Sequence, residues 1–213
     1  METLLFADDT ALIMSGPNIL DLQNTINDEL KNVKKWLVQN KLTHNYNKTN
    51  YLLFHPAKQK QSHHFLLNLH GNMLMQTNES KYLGVFIDAK LKWKAHIYHI
   101  TSSVARSVGV LYKIRQYLLK NLLKILYNAL IKLKLSYAIT LWASAYKSDL
   151  HKFNVLNNRA VRCITFATRH TNLNTLYKKH KTSKLNELQH YDLGKHMFKL
   201  HNNETPLLLI GNY

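Results

Sequence analysis

Cysteine is nearly missing, and its scarcity excludes the most. One cysteine, Cys163, stands in 213 residues. That rules out a disulfide framework and any zinc site built from several cysteines, a Cys/His zinc knuckle included, and it fits a reducing compartment. The N-terminus lacks the basic stretch and apolar core of a secretory leader. Long apolar runs are missing as well: the richest, residues 118–145, is broken by Lys120, Lys124, Lys132 and Lys134. That is too much charge for a bilayer span. No internal repeat or low-complexity tract is present. These absences imply a soluble intracellular chain with no membrane partner, and they leave nucleus and cytoplasm undivided. The run Lys178, Lys179, His180, Lys181 and Lys184 resembles a localisation signal only weakly.

Basic residues are absent from one place. Residues 1–30 hold six acids (Glu2, Asp8, Asp9, Asp21, Asp28, Glu29) and no Lys or Arg. All 29 Lys and Arg lie in residues 31–213 against the six remaining acids, so this part carries +23 and the whole chain +17. A polyanion partner for the basic body and a cation site in the acidic start would explain the asymmetry; a merely soluble basic surface is the alternative. With 46% hydrophobic and 19% charged residues the chain is globular, long enough for one domain or two small ones.

Residues 3–14 read as two short apolar strands around Ala7-Asp8-Asp9, a hairpin whose strands are expected to be buried. Ser15-Gly16-Pro17 breaks the chain, and Asn18 is placed to cap a helix. The helix carries Ile19, Leu22, Ile26, Leu30, Val33 and Leu37 on one face and should end near Asn40. Residues 50–54, 64–69 and 82–87 read as strands, with polar connectors over 58–63 and 70–80. From Trp93 onward the spacing is helical: Ile97, Ile100, Val104, Val108 and Leu111; Leu122, Leu126, Leu130 and Leu133; Leu150, Phe153, Leu156, Ala160 and Cys163. The fold class is therefore α+β, an α+β part to about residue 92 followed by an all-helical part. The tail after about residue 170 is more polar and basic.

Adjacent aspartates on a strand point to opposite faces, so Asp8 and Asp9 converge only where the chain turns. Carboxylates held close repel, and a hard divalent cation such as Mg²⁺ relieves the repulsion. Phosphoryl transfer by two metal ions needs such a site. Adjacent aspartates also occur as solvated caps, and the pair alone does not decide.

Beyond the pair, the chain resembles the reverse transcriptases of non-LTR (LINE-type, jockey-like) retrotransposons. Phe6-Ala7-Asp8-Asp9 is similar to the Y/F-x-D-D motif of the palm hairpin. Trp36, Asn40, Leu42, Asn45, Lys48, Thr49 and Phe54 resemble the W-x3-N-x-L…N…K-T…F block C-terminal to it. YLGVFIDAKLKWKAHI (82–97) resembles the primer-grip strand pair and the entry to the thumb. LYNALIKLKLSYAITLW (126–142) and LNNRAVRCI (156–164) resemble the helical thumb and the region after it. Two positions depart from the pattern: His44, where an apolar residue is usual, and Asn157, where glutamine is frequent.

The resemblance implies a partial polymerase palm over 1–92 (hairpin, helix and short antiparallel strands), a helical thumb over 93–170 and a basic extension over 171–213. It implies an RNA-directed DNA polymerase, with Asp8 as a Mg²⁺ ligand and Asp9 as its supporting partner. Lys48 would be the general acid beside the leaving pyrophosphate, or else a solvated lysine at a strand edge. Leu83 and Gly84 would lie at the turn holding the primer end, or form an ordinary hairpin turn. Lys113, Arg115, Lys120 and Lys124 would contact phosphates from the thumb, or be a solvated helix face. Trp36 and Trp93 are expected as core anchors. RNA template and DNA primer are the implied partners, and a dNTP only if the rest of the palm were present. The family's further palm aspartate and its fingers lie upstream of the double aspartate, so the chain is expected to be the C-terminal part of the enzyme and inactive alone. An exposed palm edge would favour self-association.

Overall fold

The computed structural model describes residues 1–54 and 65–204. The expected connector over 58–63, the start of the 64–69 strand and the end of the tail lie outside them. The chain divides into two units, Met1–Leu91 and Lys92–Tyr213. Among the described residues strands are confined to the first, and the second is built from helices.

In the first unit β1 (Glu2–Phe6) and β2 (Asp9–Ile13) form an antiparallel hairpin in the register Leu4↔Ala11 and Phe6↔Asp9. The apolar pattern predicts buried strands; instead Leu5 and Phe6 are each 63% exposed and Ile13 is 49% exposed. The reason is topological. Among the described strands β1 and β2 pair only with each other, and a two-stranded ribbon has no layer to bury a face against.

Asn18 caps α1 (Ile19–Gln39) by accepting the Leu20 N–H through Oδ1 at 3.0 Å. The helix closes at Asn40, which returns its N–H to the Trp36 carbonyl. Its apolar stripe is the expected one. Leu30 is buried and packs with Phe65, Leu67 and Leu69, while Ile19, Leu22 and Ile26 flank them. Trp36 departs from expectation: it is 48% exposed rather than a core anchor. It precedes Leu37 by one residue, which turns it about 100° off the stripe. A polar device also joins helix to sheet. Gln23 Oε1 accepts the Leu66 N–H (2.8 Å), and Asn27 accepts from Asn68 N (2.9 Å) while donating to Leu66 O (3.0 Å). Two amides one helical turn apart thus serve an extended segment as a neighbouring strand would.

The remaining strands are short. β3 (Asn50–Tyr51) pairs in parallel with β6 (Met75–Gln76), where antiparallel pairing was expected. β4 (Asn68–Leu69) and β5 (Asn72–Met73) meet around His70-Gly71, and β7 (Glu79–Tyr82) and β8 (Val85–Asp88) around Leu83-Gly84. Both turns place two successive residues at positive φ, the geometry that suits the twist of a two-residue hairpin. Residues 70–80, expected as connector, thus contain strands, and the strand expected over 82–87 is two strands and a turn.

In the second unit α2 (Lys94–Ile114) buries Ile97, Ile100, Val104, Val108 and Leu111, as the spacing predicts. Trp93, 9% exposed, is the anchor expected of it. α3 (Lys120–Tyr127) runs into a π-helical turn (Asn128–Lys132), then α4 (Leu133–Ser136) and α5 (Ile139–Trp142). Here the expected stripe is out of phase. Leu123, Tyr127, Ile131, Leu135 and Ile139 are buried, whereas Leu122 is 46% and Leu133 66% exposed. A four-residue period drifts about 40° per step on an α-helix. The wider π turn and the break at Tyr137-Ala138 keep the stripe facing inward. α6 (Lys147–Thr165) packs against α2 and α3, and α7 (Leu173–His180) and α8 (Leu185–His201) complete the bundle through Leu176, Tyr177, Leu185 and Leu188.

Two adjacent asparagines of α6 hold this bundle together. Asn157, 1% exposed, accepts from the Tyr127 hydroxyl at 2.8 Å and donates to the Ser183 carbonyl at 3.3 Å. Asn158 accepts from the Tyr177 hydroxyl at 2.9 Å. Asn157→Leu leaves a buried hydroxyl without an acceptor, so it should cost about 2 kcal/mol in urea unfolding. Adding Tyr127→Phe should recover part of the loss, because both polar partners are then gone. A single variant as stable as the parent would contradict the role.

Candidate nucleic-acid interface and carboxylate pair

The carboxylate pair sits where the hairpin reverses. Asp8 lies in the two-residue turn behind Ala7, whose φ is 52°, and Asp9 opens β2 opposite Phe6. Both are exposed. The turn breaks the strand alternation at Asp8, which frees it from the opposite-face rule that would otherwise part it from Asp9. Their oxygens suit Mg²⁺, but two carboxylates supply few of the six ligands such an ion takes, and water must provide the rest. Among the described residues no group of three or more His, Cys, Asp or Glu is placed to hold a metal ion.

Lys48 is exposed in a turn organised by Asn45. The Asn45 carbonyl accepts from Lys48 N (3.1 Å), Thr49 N (3.0 Å) and Thr49 Oγ1 (2.8 Å), and its side chain accepts from Asn47 N (3.1 Å). Asn45 and Thr49 therefore have a structural reason to flank the lysine. His44, beside them, packs its ring 3.9 Å from Tyr46 and 5.0 Å from His70. Burial first, and His70 second, hold its pKa below the usual histidine value.

Leu83 and Gly84 occupy the β7–β8 turn at φ 45° and 81°. The glycine takes this conformation at no steric cost; the leucine does not. Lys113 is exposed on the last turn of α2.

Arg115 and Lys120 are drawn together around one ring. The Arg115 guanidinium lies 4.9 Å from the Phe166 ring centre and 5.5 Å from that of Tyr112. The Lys120 ammonium sits 5.9 Å from the same Phe166 ring. Phe166 caps α6 at φ 56°, which turns its ring out to the cations. Arg115 also offsets the burial that pushes the Cys163 thiol pKa up.

A second group joins from α7. His180 is half-buried, and its pKa is lowered by burial first, then by the charges of Lys179, Lys124 and Lys120. Lysines of α3 and of α7 thus both act electrostatically on one imidazole. Along the sequence Lys120 and Lys124 lie far from the Lys178 to Lys184 run; the bundle brings them within electrostatic reach of His180 in that run. Arg115 and Lys120 thus lie against the Tyr112 and Phe166 rings, and Lys120 also acts on His180.

No family model matches the chain, and no solved structure matches it. Over 166 residues, 76% of the chain, it is 26% identical to the RNA-directed DNA polymerase from mobile element jockey of Drosophila funebris. The chain covers 18% of the length of that protein. The similarity supports a relationship between this chain and the reverse transcriptases of non-LTR retrotransposons.

Proposed function

We propose that the chain is the palm remainder and thumb of a non-LTR reverse transcriptase, which grips nucleic acid through the α2–α3–α7 face and does not copy a template by itself. The similarity to the jockey polymerase carries this reading, together with Phe6-Ala7-Asp8-Asp9 at the reversal of a hairpin. Asp8 and Asp9 are the residues that would hold Mg²⁺, which supplies charge neutralisation at the transferring phosphate when bound. A two-ion site needs a further carboxylate from another strand. Glu2 stands at the far end of the hairpin, opposite Ile13, and does not meet that need. Lys48, Leu83 and Gly84 keep the roles their motifs imply, pyrophosphate protonation and primer holding. The exposed β1–β2 hairpin, with Leu5 and Phe6 outward, is where the chain would pair with the rest of a palm or with a second copy.

Primer extension on an RNA template with Mg²⁺ or Mn²⁺ tests the catalytic half. No extension is expected; extension that Asp8→Asn abolishes would overturn the incompetence. Binding to an RNA–DNA duplex across salt tests the other half. A log–log slope of about −0.9 per phosphate contact is expected, and a flat response would remove the nucleic-acid reading in favour of a helical interaction protein.

A further inference from the structure

Arg115 caps the end of α2 and Lys120 opens α3, so the chain turns between them. Like charges placed this way are free to point apart, and their repulsion favours it. Instead both reach one ring: the Phe166 centre lies 4.9 Å from the guanidinium and 5.9 Å from the ammonium. Among the described residues no carboxylate pairs with either cation. A carboxylate would hold them as firmly but would neutralise them. The face of an aromatic ring attracts a cation and leaves its charge in place.

The ring has a fixed seat. Phe166 closes α6 at φ 56°, a conformation that glycine adopts without strain and phenylalanine does not. The side chain is 41% exposed, so core packing alone does not account for a phenylalanine there. Tyr112 adds a second ring 5.5 Å from the guanidinium, and its hydroxyl reaches the Arg159 carbonyl of α6 at 3.5 Å. Both rings are thus tied to α6, one through its backbone and one through its hydroxyl. The cations belong to the ends of α2 and α3.

We propose that Phe166 is a positioning residue, which holds Arg115 and Lys120 together and unneutralised so that both meet phosphates of one nucleic-acid strand. The positioning stands on the geometry; its purpose rests on the function proposed above. Holding the pair in advance removes part of the ordering cost that two long side chains otherwise meet on binding. The ring acts through the cations and need not touch the ligand.

The test compares the full-length parent with Phe166→Leu and Phe166→Tyr, each also made in a background carrying Arg115→Gln and Lys120→Gln. Leucine keeps the apolar bulk and the backbone conformation but removes the ring face; tyrosine keeps the ring. Phe166→Leu should weaken binding to an RNA–DNA duplex about fivefold. Phe166→Tyr should match the parent, and the loss should vanish in the background without the two cations. An equal loss in that background would mean a structural role or a direct contact, and it overturns the positioning. Binding unchanged by Phe166→Leu, in a parent that binds, also overturns it and leaves the proposed function standing. A readout without nucleic acid separates the two ideas. Ring current should displace the Arg115 Nε–H proton resonance in the parent and in Phe166→Tyr, and Phe166→Leu should move it toward the range of exposed arginines. A resonance that leucine does not move overturns the positioning whether or not the parent binds. A displaced resonance in a parent that binds no duplex overturns the proposed function, and with it the purpose assigned to the pair.

Discussion

Replacing Lys120, Lys124 and Lys179 together with glutamine is expected to weaken binding to an RNA–DNA duplex on the order of a hundredfold at about 0.1 M salt, and to flatten the log–log salt slope by about 2 to 3. The expectation rests on convergence rather than on total charge. These three ammonium groups act on the same His180 ring, although they come from two helices. Three scattered lysines would each contact a different part of a ligand, or none. A matched control is at hand in Lys31, Lys34 and Lys35 of α1, which removes the same charge from the other unit. If both triple variants lose the same affinity, net charge alone drives binding and the α3–α7 face is not the interface. His180 supplies a second readout. Its pKa is depressed by burial and by the lysines, so an anion that neutralises them should raise it. An imidazole titration unchanged by saturating duplex would place the ligand elsewhere.

How far the sequence could be read depended on how many answers each stretch allowed. α1 was legible because Ile19, Leu22, Ile26, Leu30, Val33 and Leu37 form one stripe, with Asn18 and Asn40 marking its ends. Residues 122–135 were not, because leucines and isoleucines lie on every side of LLKILYNALIKLKL. Two stripes fit that pattern, and Tyr127 reaching Asn157 selects between them, together with a π turn that periodicity does not encode. The turn at Leu83-Gly84 was invisible to periodicity, because YLGVFI is apolar throughout; it came from the resemblance to the family's strand pair. Two-residue strands such as β5 and β6 carry no period at all. The same limit applies to the candidate site. Lys120 and Lys124 were legible as basic helix residues, but their meeting with Lys179 and His180 is a property of the bundle. Asn157 stood out only as a departure from glutamine; its hydrogen bonds to α3 and to the α7–α8 loop give it a structural reason.

Acid should destabilise the helical unit through His96. This residue of α2 is 1% exposed, with its ring centre 6.1 Å from that of Trp142, and its pKa is lowered from 6.5 to about 4. Burial is the larger cause and the charge of His99 the smaller. The unfolded chain therefore takes up a proton near pH 6.5 that the folded chain refuses until about pH 4. Stability is intact above pH 6.5 and declines as the pH falls through that window, by about 3 kcal/mol for a shift of this size. Urea unfolding at pH 7 and pH 4 measures it, with His96→Leu as the reference that cannot titrate. The parent should lose about 3 kcal/mol more than the variant over this interval. Exposed histidines titrate in both proteins and cancel from the difference. Parallel losses would mean that His96 accepts its proton in the folded state at an ordinary pH. In that case the α2 core around Trp142 would admit water or a rearrangement that the packing, with Trp142 fully buried, excludes.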